Sequence, residues 1–337
     1  MPPLFPARMA LQFMSYRNYR TAVVLLCVAV ASGACTKAEA PEPPAAVASV
    51  QPEAKSPNGK SFFPRDIPAA KKAQLEVDLA AAKRAHGAAP NDADSIIWYG
   101  RRLGYLERFQ EAIAVFGDGI AKHPDDSRLY RFRGHRYISV REFDKAIADL
   151  SRAAELIKGQ ADAPEPDGAP NALGIPTSTQ HGNIYYHLAL AYYLKADYAA
   201  SLTAWDEALR IANNDDTRIA VNDWRYMTLR RQGRENDANA LLKSVNKNLK
   251  IIENTAYFRR MLMYKGELPA DSLLSPNESD PLQYVTQGYG VGNWYLANGD
   301  STKAFAIFDK VTSSDYWAAF GFIAAEADLA RRKSQQP

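Results

Sequence analysis

Thiols are nearly absent from this chain of 337 residues: Cys27 and Cys35 are the two cysteines, and no thiol occurs after residue 35. Neither a disulfide framework nor a cysteine-rich zinc site can be built from them. Charge of one sign is also lacking. Lys plus Arg is 41 and Asp plus Glu is 38, and Arg8, Arg17 and Arg20 precede Cys35 with no acid among them. Without that segment the balance is 38 against 38, which argues against general nucleic-acid binding, since that needs a basic surface to neutralise phosphates. Histidines are His86, His123, His135, His181 and His187, and none falls at the helical spacing that puts two metal ligands on one face. Gly-x-Ser-x-Gly, Walker and Cys-x-x-Cys-His segments are missing, so nucleophilic, nucleotide and haem chemistry lack their usual carriers, and no cofactor is expected. What is present is 47% hydrophobic and 11% aromatic residues, enough for a packed core.

Arg17 and Arg20 precede an apolar run from Ala22 to Ala31, followed by Ser32, Gly33, Ala34 and Cys35. This is the three-part layout of a secretory signal, and the run is about half of the roughly 20 residues that span a bilayer. Small residues directly before a cysteine resemble the lipobox of bacterial lipoproteins, with Ser32 where that family usually has Leu. The resemblance implies acylation of Cys35, and Thr36 after it implies the outer membrane. Ordinary cleavage after Ala31 or Ala34, giving a soluble periplasmic protein, is the alternative, and either Met1 or Met14 as the start gives the same mature chain. Residues 35–66 are rich in Pro, Ala, Glu and Lys and read as a flexible tether, with folded structure expected from about Ile67.

A repeat of 34 residues governs the rest: Pro90 with Pro124, Gly100 with Gly134, Phe109 with Phe143, Ala112 with Ala146, Phe116 with Leu150. A small residue, a large one three later, a small one nine later and a large one four later recur as Gly100, Leu103, Ala112, Phe116. The same spacing returns at Gly134, Tyr137, Ala146, Leu150; at Ala189, Tyr192, Ser201, Trp205; and at Gly292, Tyr295, Ala304, Phe308. A degenerate copy is Tyr226, Leu229, Ala238, Leu242. Small residues let two helices approach, and the large ones are expected to fill the gap to the next unit. The pattern strongly resembles the tetratricopeptide repeat over about Asp92 to Thr312. It implies an all-α solenoid, a right-handed superhelix of about five helix pairs with capping helices. Ser201 and Tyr226 depart from it, so the fourth unit is expected to pack irregularly.

Caps are expected at Ala69 to His86 and at Trp317 to Arg332. With a short helix at Ala256 to Lys265 before the last repeat, the organisation reads as residues 67–253, four repeats after a cap, and 254–333, an irregular helix, a fifth repeat and a cap. This arrangement resembles the NlpI-type lipoproteins of the bacterial envelope. Between Gly159 and Gln180 the period is broken by 21 residues, Ala146 to Ser201 being 55 apart rather than 34. The segment holds Pro164, Pro166, Pro170 and Pro176, and is either a functional loop or a tolerated insertion. The Gly288, Gly290, Gly292 cluster is read as close packing, not as a phosphate loop, and Asp125-Asp126 and Asp215-Asp216 as helix caps.

In such arrays the first helix of each unit lines the concave face. The expected partner-binding groove is therefore Arg101 and Tyr105; Arg128, Arg131 and His135; Asn183, Tyr186, His187 and Tyr193; Asp223, Met227, Arg230 and Arg231; Tyr289 and Asn293. Arg beside Tyr is the composition of binding hot spots, and guanidinium pairs with carboxylates, so protein partners or acidic peptide segments are the expected ligands. The reading is a non-catalytic adaptor of the cell envelope. Its rivals are an enzyme or small-ligand binder under the 159–180 loop, with Asp167, His181 or His187, and a self-associating subunit.

Overall fold

The computed structural model describes residues 51–274 and 281–334. The expected export segment, Cys35 and the expected tether up to residue 50 lie outside the described residues. Thirteen α-helices are present among them. α1 (Ala69–Ala88) precedes five helix pairs: α2 (Ala93–Tyr105) with α3 (Phe109–Lys122), α4 (Ser127–Ser139) with α5 (Phe143–Leu156), α6 (Gln180–Leu194) with α7 (Tyr198–Ile211), α8 (Asp215–Arg231) with α9 (Glu235–Leu242), and α11 (Pro281–Ala297) with α12 (Ser301–Thr312). α10 (Thr255–Tyr264) interrupts the series before the fifth pair, and α13 (Phe320–Ser334) ends it. The chain is an all-α tetratricopeptide-type solenoid.

Helix starts follow local chemistry where a short acceptor is at hand. Asp92 accepts from Ser95 N, Thr179 from Gly182 N and Asn214 from Thr217 N, each satisfying a backbone donor of the first turn. Two caps come from far away. Gln110 N, at the start of α3, donates to Glu53 Oε2 at 2.8 Å. Ahead of α10, Glu253 N and Asn254 N donate to Asp216 Oδ1 at 3.0 and 2.8 Å. Asp216 is thus a cap for α10, and α8, which it was expected to cap, is capped by Asn214.

The small-to-large spacing works within a unit, and two of the large residues also meet the next unit as expected: Phe116 stacks on Phe132 and Trp205 on Trp224, with centroids 5.9 and 6.4 Å apart. A Cβ added at Gly100 would stand 2.4 Å from the Phe116 ring, at Gly134 2.7 Å from Leu150, and at Gly292 2.5 Å from Phe308. In the third unit Ser201 replaces alanine and donates to Ala189 O at 2.8 Å, so its hydroxyl is satisfied while fully buried. Tyr226, standing where a small residue is usual, stacks on Tyr264 of the extra helix α10 with ring centroids 4.1 Å apart. The Gly288, Gly290, Gly292 cluster is a packing face: Gly288 meets Val311 and Gly290 leaves a channel for the Arg260 side chain. The interior forms two cores, a small one around Leu79, Ile96, Leu103, Phe116 and Leu129 and a large one over the later units.

Order begins earlier than expected: residues 51–66, read as part of the tether, are docked on the array. Ala54–Lys55 (β1) and Ser61–Phe62 (β2) form an antiparallel hairpin docked on the array. Phe62, 5% exposed, stacks on Trp317 with centroids 5.3 Å apart, and Trp317 Nε1 donates to Phe63 O at 2.8 Å. Arg65 Nε donates to Glu107 Oε1 at 2.5 Å. Order therefore begins before Ile67, because one buried aromatic and several charged bonds supply what the Pro- and Ala-rich composition lacks.

α13 is more than a terminal cap. Residues 321–328 are all buried. It packs on α11 and α12 and is held by three earlier units: Arg141, in the α4–α5 turn, donates to Glu326 Oε2 at 2.9 Å and to Trp317 O at 2.8 Å; Arg231 of α8 pairs with Asp328; and Arg331 donates to Leu194 O at the end of α6.

Candidate functional site

Because α13 lies along the inner side of the later units, the floor of the expected groove there is interior. Tyr193, Asp223, Met227, Tyr289 and Asn293 are at most 1% exposed, so they line no open surface, contrary to expectation. Tyr193 and Tyr289 share a hydroxyl hydrogen bond of 2.7 Å, Tyr289 Oη donates to Asp328 Oδ2 at 3.1 Å, and Arg231 Nε donates to Asn293 Oδ1 at 2.5 Å. Asp223 pairs with Arg260, both side chains fully buried, and Arg260 also donates to Thr286 O. Burial raises the Asp223 carboxyl above its usual range, and Arg260 opposes this. Buried charges in such numbers are tolerated because each has a partner.

A second group borders this interior. Tyr186 packs edge-on to Trp205, and its hydroxyl lies 3.4 Å from that of Tyr257. His187, 4% exposed, donates from Nδ1 to Asn183 O at 2.6 Å, and its ring lies 4.4 Å from that of His135, with Phe320 against both. Burial holds both imidazoles well below the ordinary value near 6.5, helped by Arg131 and Arg136, so the pair is neutral. Asn183 Nδ2 donates to Ser178 Oγ. Arg230 reaches Ala297 O and Asn298 Oδ1, tying α8 to the end of α11.

The third group is the face of the first two units, and the 159–180 segment lies over it. The segment folds back on itself through Glu165 N to Ser178 O and Gln180 N to Ala163 O. Arg101 Nη1 donates to Pro166 O at 2.7 Å, Arg102 Nη1 to Gly168 O at 3.2 Å, and Arg131 Nη2 lies 3.0 Å from Glu165 Oε1. Arg101 also reaches Tyr105 Oη, while Arg128 pairs with Asp126 and Asp94. A recess remains between Trp98, Arg101, Arg128, Phe132, Pro166 and Ile184. Beside it, a half-open cavity of about 170 Å³ is lined by Arg101, Tyr105, Arg131, His135, Arg136, Glu165 and the rings of Phe116 and Phe132. Burial and the neighbouring Arg131 push Arg136 down to about 9. The loop leaves Leu173 and Ile175 67% and 47% exposed.

The residues proposed for a catalytic alternative do not converge. Asp167 accepts from Ala169 N in its own turn, His181 Nδ1 faces Asp162 at 3.9 Å, and His187 is inside; among the described residues no hydrogen bond joins them. No group of three or more His, Cys, Asp or Glu among the described residues is placed to hold a metal ion. Sequence reasoning passed over Arg136, Arg141, Glu165 and Glu326. Arg141 carried a signal: it stands 34 residues after Glu107, in the turn slot that Gly233 and Gly299 fill in later units.

No protein-family model matches the chain, and no curated protein matches it. Among solved structures it is similar to a tetratricopeptide repeat protein from Parabacteroides merdae, with 14% identity and a TM-score of 0.46 over 76% of this chain and 94% of that one. It is also similar to YrrB, described as a TPR protein with an unusual peptide-binding site, at 15% identity and a TM-score of 0.40 over 76% and 98%. BtubC from P. vanneervenii follows at 15% identity and 0.42 over 73% and 91%. Likeness at this distance carries no function, which has to be argued from the residues.

Proposed function

We propose that the chain is a non-catalytic protein-interaction scaffold of the bacterial cell envelope, its partners proteins or acidic peptide segments. The observation that carries this reading is the face built by α2, α4 and the 159–180 loop. Trp98, Arg101 and Arg128 border a recess there, and the loop presents Leu173 and Ile175 to solvent. Arg and aromatic side chains at a rigid surface, beside exposed apolar ones, are the composition of a contact site. The inner face of the later units is occupied by α13, so the binding surface moves to the first two units.

Envelope placement rests on Arg17, Arg20, the Ala22–Ala31 run and the Ser-Gly-Ala-Cys sequence ending at Cys35. We read Cys35 as the acylated residue, on the periplasmic side of the outer membrane, with residues 36–50 as the spacer. Metabolic labelling with an alkynyl fatty acid tests this: wild type is expected to carry the label and Cys35→Ser to lose it, whereas label on neither leaves a soluble periplasmic protein.

The adaptor reading is tested by in-cell cross-linking and mass spectrometry, comparing wild type with a Leu173→Asp, Ile175→Asp, Arg101→Glu variant of matched stability. Partners are expected to disappear selectively from the variant. An unchanged set moves the contact surface elsewhere, and an empty set from both removes the adaptor reading.

A further inference from the structure

Three guanidinium groups, those of Arg101, Arg131 and Arg136, line the 170 Å³ cavity beneath the loop, facing one carboxylate, Glu165. Their hydrogen bonding is incomplete in a specific way. Arg131, 7% exposed, leaves its Nε without a partner, although its Nη2 reaches Glu165. Arg136 has no carboxylate or carbonyl partner among the described residues; its guanidinium rests on the Phe109 ring at 5.0 Å. Gly104 keeps that place open, because a Cβ there would stand 2.9 Å from Arg136 Nη1. The buried Arg131 Nε without an acceptor is costly, and the half-buried Arg136 guanidinium beside it also turns free donors toward the same empty volume, so the lining holds donors for something that enters.

The chemistry of the entrant follows from the lining. Three planar forks call for oxyanions, and carboxylates match them in bidentate fashion. The one carboxylate already there, Glu165 on the loop, sets the geometry that an entering group would copy. Phe116 and Phe132 supply apolar wall for a short hydrocarbon spacer. The volume exceeds the ~30 Å³ share of a water and falls below the ~300 Å³ of ordinary drug-sized pockets. That small volume suits a free small molecule better than a peptide segment.

We propose that the half-open cavity between α2 and α4, bordered by Glu165 of the 159–180 loop, is a binding site for a small dicarboxylate, gripped by Arg136, Arg131 and Arg101 after it displaces Glu165. The site goes beyond the adaptor reading, and either can fail without the other. Calorimetric titration of the purified protein with succinate tests it, with inorganic phosphate and a neutral hexapeptide bearing a free C-terminus as the other arms. Wild type is expected to bind succinate, Glu165→Gln to bind it about tenfold more tightly through loss of the internal competitor, and Arg136→Gln at least tenfold more weakly at unchanged melting temperature. If Arg136→Gln fails to fold, Arg101→Gln, at the more accessible rim, must show the same weakening. No binding of succinate by either wild type or Glu165→Gln overturns the proposal, as does undiminished binding by the arginine variants. Equal affinity for phosphate overturns the choice of carboxylate, and equal affinity for the peptide overturns the choice of a small molecule.

Discussion

At Ala196, between α6 and α7, φ is +62°, a conformation in which the Cβ crowds the backbone and which costs a non-glycine residue about 1 kcal/mol. The corresponding turns hold Glu107, Arg141, Gly233 and Gly299, all at positive φ. Two of the three non-glycines there have an evident occupation: Glu107 grips Arg65 and Arg141 grips Glu326. Ala196 has none, so Ala196→Gly is expected to stabilise by about 0.5–1 kcal/mol in urea unfolding. Arg141→Gly gains the same relief but strands Glu326, already raised by burial above its usual carboxyl range, and is expected to lose at least about 2 kcal/mol net. The histidine pair makes a second residue-scale case. His135 and His187 are depressed in the folded state, so below about pH 6.5 the unfolded chain binds protons that the folded chain refuses. Their contribution is complete above that pH and is lost as pH falls toward their folded values, with a slope of up to about 1.4 kcal/mol per pH unit for each. Unfolding free energies at pH 7.5 and 5.5 are expected to differ more in wild type than in His187→Gln or His135→Gln.

Among the elements, the hairpin of residues 54–62 has the least internal support, since two strands of two residues each are unstable alone. Its order depends on Phe62 between Trp317 and Phe322, with Arg141 over the ring. Phe62→Ala is expected to cost about 3 kcal/mol and to raise hydrogen exchange at residues 53–63. Unchanged protection there would mean that Glu53 and Arg65 alone hold the strap. These elements also show what a sequence can and cannot display. The helix pairs were legible because Gly100 over Phe116 and Gly134 over Leu150 are contacts made 16 residues apart and repeated. The strap was read as tether because its composition is that of a linker, and its order comes from Trp317, more than 250 positions away. The groove residues were found by periodicity on the right helices, yet Tyr289 and Asn293 proved internal, since helix phase says nothing of which later segment covers a face. In the first two units the same reasoning brought Arg101 and Arg131 together but missed Arg136, whose significance lies in a missing partner.

For the molecule as a whole, the question is whether stability adds up unit by unit, as in an ideal solenoid where each repeat touches only its neighbours. Here α13 joins the α4–α5 turn, α6, α8 and α11 through Glu326, Asp328 and Arg331, contacts that span from 39 to 185 positions along the chain. Units two to five are therefore closed on one helix, whereas α1 and α2 pack in a smaller core around Leu79, Ile96 and Phe116 that α3 and α4 share. Native-state hydrogen exchange is expected to find α6, α8, α11 and α13 opening together near the global unfolding free energy, with α1 and α2 opening at a lower one. Glu326→Ala tests the closure directly. It leaves Arg141 buried without its carboxylate, a loss of about 3–5 kcal/mol, and should release α13 together with the protection of the α6 C-terminus, where Arg331 donates to Leu194 O. Exchange of α13 ahead of α6 in the wild type would contradict the closure and return the array to a sum of neighbouring pairs. It would also reopen the inner face of the later units as a place for a partner, because a helix that leaves readily is one that a ligand can replace.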